Sequence, residues 1–494
     1  MSTAHENSLR THTPSVQSTV LKGRLGPGAI MFMVLAAAAP LTVVGSVIPV
    51  GILMGNGQGF PAMFVVATVI LLLFSIGLMA MSKHFPDAGA FFTYISHGLG
   101  TVPGVSAAYL AIITYSTIQF GVFAFFGETI SADLVLLGAP SIPWWIFTLM
   151  GIGVVGFLGY RHIGLSSKVL IIVLVAEVGI VLILSAAIWL KGGTESIDLA
   201  GFTSHSFMSG SPALGLMFAI ASFIGFESTV VYRSEVREPN RTIPLATYGS
   251  ALLIGLFYTL AGVAVVWGIG PSKLMTYVGS DPATVLPRLT GEYLGAVGST
   301  VVSLLFLGSM FASVLALHNV LARYLHSMAR ARLLPAKLAL AHPKHDSPYV
   351  SSLVQVITAA VLTVIVVVLK VPAASAFAWF VGVGTLTISI LMAVTCLAVI
   401  VFFARNKLQT HVLRTCVAPL LGFIGLAVSA VLIAVNFPLL VGDVDSLGEP
   451  AWGTVSIVLI LLVVVTAIAG AAQAMTLRFK NRQVYRQITQ QLNH

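Results

Sequence analysis

Residues 213–232 read Ala-Leu-Gly-Leu-Met-Phe-Ala-Ile-Ala-Ser-Phe-Ile-Gly-Phe-Glu-Ser-Thr-Val-Val-Tyr. About 20 apolar residues at 1.5 Å each are enough to cross a bilayer. Yet Gly225 and the carboxylate of Glu227 stand near the middle of this run. A charge at that depth costs roughly 3 kcal/mol or more, so it must face protein or water rather than lipid. One reading is a buried acid bonded to a neighbouring helix. The other is a helix interrupted around Ile224-Gly225-Phe226, whose freed backbone groups line a polar cavity. The second accounts for both residues at once.

The rest of the chain repeats the theme. It is 57% hydrophobic and only 8% charged over 494 residues, with a mean hydropathy of +0.99. That composition excludes a soluble domain and gives an all-α polytopic membrane protein. Apolar runs fall at about 28–54, 60–82, 104–132, 143–160, 166–190, 212–234, 245–269, 295–328, 351–369, 374–403, 415–438 and 451–474, which makes 12 transmembrane helices. With both termini in the cytoplasm, 21 of the 25 Lys and Arg residues fall on the inner side and only Lys191, Lys273, Arg288 and Lys370 on the outer. So strong a bias sets the orientation. It also explains the net charge of +9 as membrane topology, so no nucleic acid partner is implied.

The tail before residue 27 is polar and is expected to be disordered, and the first apolar run is too long for a cleaved signal peptide. The tail from residue 477 is basic and amphipathic, suited to resting on anionic lipid. Cys396 and Cys416 lie near one cytoplasmic connection and imply no disulfide framework. There is no phosphate-binding Gly-rich loop, no Cys/His metal spacing and no HExxH. No cofactor, metal or enzymatic activity is therefore expected.

The first span is interrupted as well. Ala36-Ala-Ala-Ala-Pro40 places a proline mid-span, which removes a helical hydrogen bond and clashes with the preceding turn. A plain kink is one reading. The other follows from position: spans one and six lie five apart, as an inverted repeat of five plus five helices requires. The expected organisation is then 1–26 as the cytoplasmic tail and 27–192 as the first repeat. The second repeat is 193–404, two peripheral helices occupy 405–476, and 477–494 is the basic tail.

Several stretches carry a family resemblance. Ser222-Phe-Ile-Gly-Phe-Glu-Ser228, continued by Glu235-Val-Arg-Glu-Pro-Asn-Arg-Thr-Ile-Pro-Leu-Ala-Thr247, resembles the amino acid–polyamine–organocation (APC) permeases. Phe85-Pro-Asp-Ala-Gly-Ala-Phe-Phe-Thr-Tyr94 looks like that family's segment after span two, and Gly164-Leu-Ser-Ser-Lys168 is similar to the entry to its fifth helix. Residues 319–335, Asn-Val-Leu-Ala-Arg-Tyr-Leu-His-Ser-Met-Ala-Arg-Ala-Arg-Leu-Leu-Pro, look like the stretch closing its eighth. The resemblance implies the LeuT-type fold, with ten helices in two inverted repeats plus two peripheral ones. It implies a small-molecule substrate at the midplane between unwound helices one and six, carried by alternating access. Family members carry amino acids, polyamines or related amines, by symport with protons or sodium or by exchange. Two departures stand out. Thr42-Val-Val44 occupies the place of the family's Gly-Ser-Gly, and Ala221 stands where some relatives have a gating tryptophan.

Helix termini supply the binding chemistry. The N-terminus of the second half of helix one has unsatisfied N–H groups suited to a carboxylate, and the carbonyl end of the first half of helix six attracts an ammonium. Thr42, Val43, Val44, Ala221, Ser222, Ile224 and Phe226 are the expected lining. Tyr115 and Gln119, four apart on span three, share a face that either borders the cavity or bonds to other helices. Glu177, mid-way along span five, stands where some proton-coupled members carry a lysine. Desolvation disfavours the charged form of a carboxylate, which suits proton exchange; alternatively Glu177 is a structural acid bonded to a hydroxyl such as Ser309 or Ser313. Glu227 is the second candidate for coupling, or a cytoplasmic gate. Near the inner mouth, Arg233, Glu235, Arg237, Glu238 and Arg241 either pair with Lys83, Asp87 or Arg161 as exposed, weak contacts that close the mouth, or serve only as positive-inside anchors.

The reading is a secondary active permease of the plasma (inner) membrane for amino acids or related amines, driven by an ion gradient, with the lipid bilayer and a proton or sodium as its partners. An exchanger or polyamine-type permease is the alternative within the class. A channel would show flux without saturation or accumulation, and an intramembrane enzyme would show product formation rather than uptake.

Overall fold

The computed structural model describes residues 26–85, 91–160, 163–193, 195, 200–342, 347–406, 408 and 411–480. Among these residues the chain is all helical, apart from an isolated bridge between Val444 and Pro450. Ten stretches are long and apolar enough to cross a membrane, and Trp144–Tyr160 is a shorter apolar helix. One of the ten, Pro27–Ser82, is 56 residues long and folds back on itself. Its parts are α1 (Pro27–Ala37), α2 (40–56) and α3 (Phe60–Ser82). The expected tails before residue 26 and after residue 480, together with Asp87 and Arg161, lie outside the described residues.

The helices that follow are α4 (Phe91–Leu99), α5 (Thr101–Leu136), α6 (Trp144–Tyr160) and α7 (Ile163–Lys191). Then come α8 (Pro212–Ala221), a 3₁₀ segment (Phe226–Glu235), α9 (Pro239–Ile269) and α10 (Val285–Arg330). The chain closes with α11 (Tyr349–Val368), α12 (Ala373–Asn406), α13 (Leu413–Val435) and α14 (Thr454–Lys480). The sequence places the eighth apolar run at 295, whereas α10 starts at Val285. A non-helical Gly295 (φ +76°) divides it there, so the apolar part and the amphipathic lead-in are two pieces.

The pattern of burial is that of a chain solvated by lipid. Large apolar side chains such as Ile172, Val368 and Phe479 face outward. The polar groups Glu177, Glu227, Ser309, Asn319 and Arg323 are buried. In hydrocarbon an unpaired polar group costs several kcal/mol, so polar side chains collect inside, where partners exist. At the centre, α5 packs against α4, α6, α10, α12 and α14, while α1 packs against α7, α9, α10 and the 3₁₀ segment. That second set brings the two interrupted helices together.

Candidate functional site

The first interruption follows from Pro40. Proline has no N–H and disfavours helical geometry in the residue before it, and Ala39 takes up φ 48°, ψ 66°. The helix stops with Ala38 and restarts at Pro40, a favoured first position. Four of the backbone groups around this break find partners on other helices. The Leu41 amide donates to Glu177 Oε2 (3.4 Å) and the Thr42 amide to Ser309 Oγ (3.2 Å). The Ala37 carbonyl accepts from Ser313 Oγ (3.0 Å), and the Ala38 carbonyl from the Tyr258 hydroxyl (2.9 Å). The unwinding therefore sits at Ala38–Ala39, within the Ala36–Pro40 stretch named from the sequence and just before the expected lining residues 42–44. Thr42, Val43 and Val44 have already begun the second half-helix and are buried. The Thr42 hydroxyl has no hydrogen-bond partner among the described residues.

The second interruption is at Gly225, as the sequence suggests. After α8 a turn runs through Ser222, Phe223, Ile224 and Gly225, which has φ +107° and ψ −23°, and the chain continues as the 3₁₀ segment. Glu227 folds back on this turn. Its Oε2 accepts from the Gly225 amide and its Oε1 from the Tyr115 hydroxyl, both at 2.9 Å. Ser228 Oγ donates to the Gly225 carbonyl (2.6 Å). Among the described residues the carbonyls of Ser222 and Ile224 receive no hydrogen bond. Ala221 and Ile224 keep partial exposure, while Ser222 and Phe226 are buried.

The two interruptions touch. A Cβ placed on Gly225 would lie 2.8 Å from the Ala37 Cβ and 3.2 Å from its carbonyl carbon. Around this contact stand two acids, Glu177 (1% exposed) and Glu227 (0%), and neither pairs with a basic side chain among the described residues. Their donors are neutral, so each is free of the fixed counter-ion that a purely structural buried charge ordinarily needs. Ser309 also lies within bonding reach of Glu177, and Ser313 holds the end of α1 one turn further along α10. Of the remaining expected residues, Tyr115 joins the site through Glu227, but Gln119 does not. Its amide donates to the Val314 carbonyl (3.1 Å) and its oxygen accepts from Gln355, so it ties α5 to α10 and α11.

The charges at the far end of the 3₁₀ segment pair differently from expectation. Glu235 forms a two-pronged pair with Arg323 of α10, and Arg323 also donates to the Asn319 carbonyl (3.0 Å) and lies over the Tyr232 ring (5.1 Å). Both members are buried, at 3% and 5% exposure. Arg233 bonds to Asn240 (2.7 Å). The sequence misses Arg323 because it is 88 positions from Glu235, and misses Tyr258 for the same reason.

These features define a helical membrane protein with two apposed helix interruptions, stabilised by acids and hydroxyls from neighbouring helices. Comparison with known proteins gives the family. The chain matches the amino acid permease family over residues 31–471 and belongs to it, within the APC superfamily. It is similar to the branched-chain amino acid permease BcaP of Bacillus subtilis (25% identical over 322 residues, 60% of this chain and 65% of that protein). It is similar to the low-affinity putrescine importer PlaP of Escherichia coli K12 (23% over 347 residues; 68% and 73%). The serine/threonine exchanger SteT of B. subtilis matches at 20% over 332 residues (66% and 74%). The matched stretch thus spans just under two thirds of BcaP. Membership and the ten apolar stretches make the chain an integral membrane protein.

Proposed function

We propose that the chain is a secondary active transporter for amino acids or related amines, working by alternating access and coupled to protons. In this reading it crosses the bilayer twelve times with both termini in the cytoplasm. The helices form two inverted repeats of five followed by two peripheral ones, and the discontinuous first and sixth crossings are α1 with α2 and α8 with the 3₁₀ segment. The observation that carries the reading is the direct contact of the Ala39 and Gly225 interruptions, flanked by two acids without counter-ions. The open carbonyls of Ser222 and Ile224 suit an ammonium, and the unpartnered Thr42 hydroxyl suits a polar group of the substrate. Glu177, between the Leu41 amide and Ser309, is the proton-coupling group, since gaining a proton weakens its hold on the amide and loosens the junction. The Glu235–Arg323 pair closes the cytoplasmic side in this state.

One observation favours a narrower substrate class. The amides that would receive a substrate carboxylate already have acceptors in Glu177 and Ser309. A site whose anion position is filled from within, and which still offers acids and open carbonyls, fits an amine lacking an α-carboxylate. Uptake of labelled amino acids and of diamines into proteoliposomes, under an inward proton gradient, tests both. Saturable accumulation of either supports the transporter, and preference for the diamine supports the narrower class. Flux without saturation or accumulation would replace the transporter with a channel.

A further inference from the structure

A cavity of about 790 Å³ opens between the ends of α3, α9 and α13. None of the residues lining it belongs to the interrupted segments. Lys83, His84, His411 and Arg414 converge on its mouth, and all four are exposed. No acid lines it, and among the described residues none of the four has a carboxylate partner. Its floor is apolar, made by Leu73 and Ile76 of α3 and Leu421 of α13. Lys83 lies seven positions beyond Ile76, and Arg414 seven before Leu421. At 1.5 Å rise per residue the floor is therefore about 10 Å from the charged mouth. The mouth is shaped by a π-helical turn, Leu413–Val417, which contributes Leu413, Arg414, Thr415 and Val417 to the lining. Such turns often mark functional sites.

An excess of Lys and Arg on one side explains why basic residues stand at this end of the helices. It does not explain why four of them, two from the end of α3 and two from the start of α13, surround one apolar hollow of ligand size. We propose that this cavity binds an anionic phospholipid, with the headgroup phosphate on Lys83 and Arg414 and the start of an acyl chain along Leu73, Ile76 and Leu421. A row of positive charge without acids selects a phosphate. The apolar depth selects a lipid over a soluble anion, because only the lipid covers the floor. The topology proposed above puts the site in the inner leaflet; the binding itself depends neither on that topology nor on transport.

The test is native mass spectrometry of the delipidated full chain, titrated with phosphatidylglycerol or phosphatidylcholine. Phosphatidylglycerol should bind the wild type more tightly than phosphatidylcholine. It should bind Lys83→Gln/Arg414→Gln about 30-fold more weakly than wild type, from the usual contribution of two basic side chains at an anionic headgroup. Ala80→Phe, which fills the cavity without changing charge, should weaken phosphatidylglycerol binding as well. Lys273→Gln/Lys370→Asn, which removes the same charge elsewhere, should bind like wild type. Equal affinity for the two lipids, or an unchanged affinity in either cavity variant, overturns the proposal. Equal loss in the Lys273/Lys370 variant overturns it too, because the effect is then bulk charge. Displacement of the lipid by equimolar glycerol phosphate overturns it as well, since the apolar floor then contributes nothing.

Discussion

Gly225→Ala is the sharpest perturbation of the paired interruptions, and its cost can be built from two parts. The backbone at Gly225 has φ +107°, where an L-residue is strained by about 1–3 kcal/mol. The new methyl would sit 2.8 Å from the Ala37 Cβ and 3.2 Å from its carbonyl carbon, inside the 3.4 Å at which ordinary contact begins. Overpacking of that kind costs about 1–3 kcal/mol. Together the substitution should destabilise by about 2–6 kcal/mol and separate the two interruptions. Gly153→Ala is the control, because nothing lies within 4 Å of a methyl placed there on a regular helix. It should leave stability unchanged or slightly improved. Ala37→Gly in the Gly225→Ala background removes the closest contact but leaves the φ strain, so rescue should be partial. Thermal unfolding of the purified protein in detergent reads all four chains. If Gly225→Ala melts together with Gly153→Ala, or if Ala37→Gly gives no rescue, the direct apposition of the two breaks is wrong.

Two further expectations follow from the buried polar groups. Glu235→Gln leaves the Arg323 guanidinium buried without a counter-ion and should cost about 3–5 kcal/mol in thermal or chemical unfolding. Replacing both members, as in Glu235→Gln/Arg323→Met, should recover much of that loss; a single variant as stable as wild type would mean the pair closes nothing. His97, in the connecting helix α4 and stacked on Phe85 (centroids 3.6 Å apart), is held by burial down at about 4, from an ordinary 6.5. The folded state therefore resists protonation more than the unfolded chain does. Its contribution to stability is complete above pH 6.5 and is lost as pH falls from there toward 4. His97→Gln should flatten the melting temperature across that window, and an unchanged acid slope would assign it to other groups.

The sequence reveals the two interruptions because their causes are local. Pro40 cannot donate and disturbs Ala39 by itself, and only glycine sits easily at the Gly225 φ. What those interruptions bond to is set by tertiary packing. Leu41 meets Glu177 across 136 positions and Ala38 meets Tyr258 across 220. Nothing in periodicity or charge pattern encodes such pairs. Ser309 beside Glu177 was legible because a buried acid needs a donor and few hydroxyls lie at the same depth of α10. Ala38 and Ala39 unwind although alanine is an excellent helix former, because the following proline overrides that preference. Gln119 shows the limit of face arguments. It lies one turn from Tyr115, yet its bonds go to Val314 and Gln355 because α5 touches different neighbours at successive turns.

Coupling of uptake to protons through Glu177 is the central claim of the proposed function. Wild type and Glu177→Gln reconstituted in proteoliposomes, with internal pH fixed and external pH varied, should separate cleanly. Wild-type uptake should rise with the inward proton gradient and exceed equilibrium. Glu177→Gln should remain folded and exchange substrate across the membrane, but should no longer accumulate it or respond to external pH. Gradient-driven accumulation that persists in Glu177→Gln with an unaltered pH profile would contradict the account.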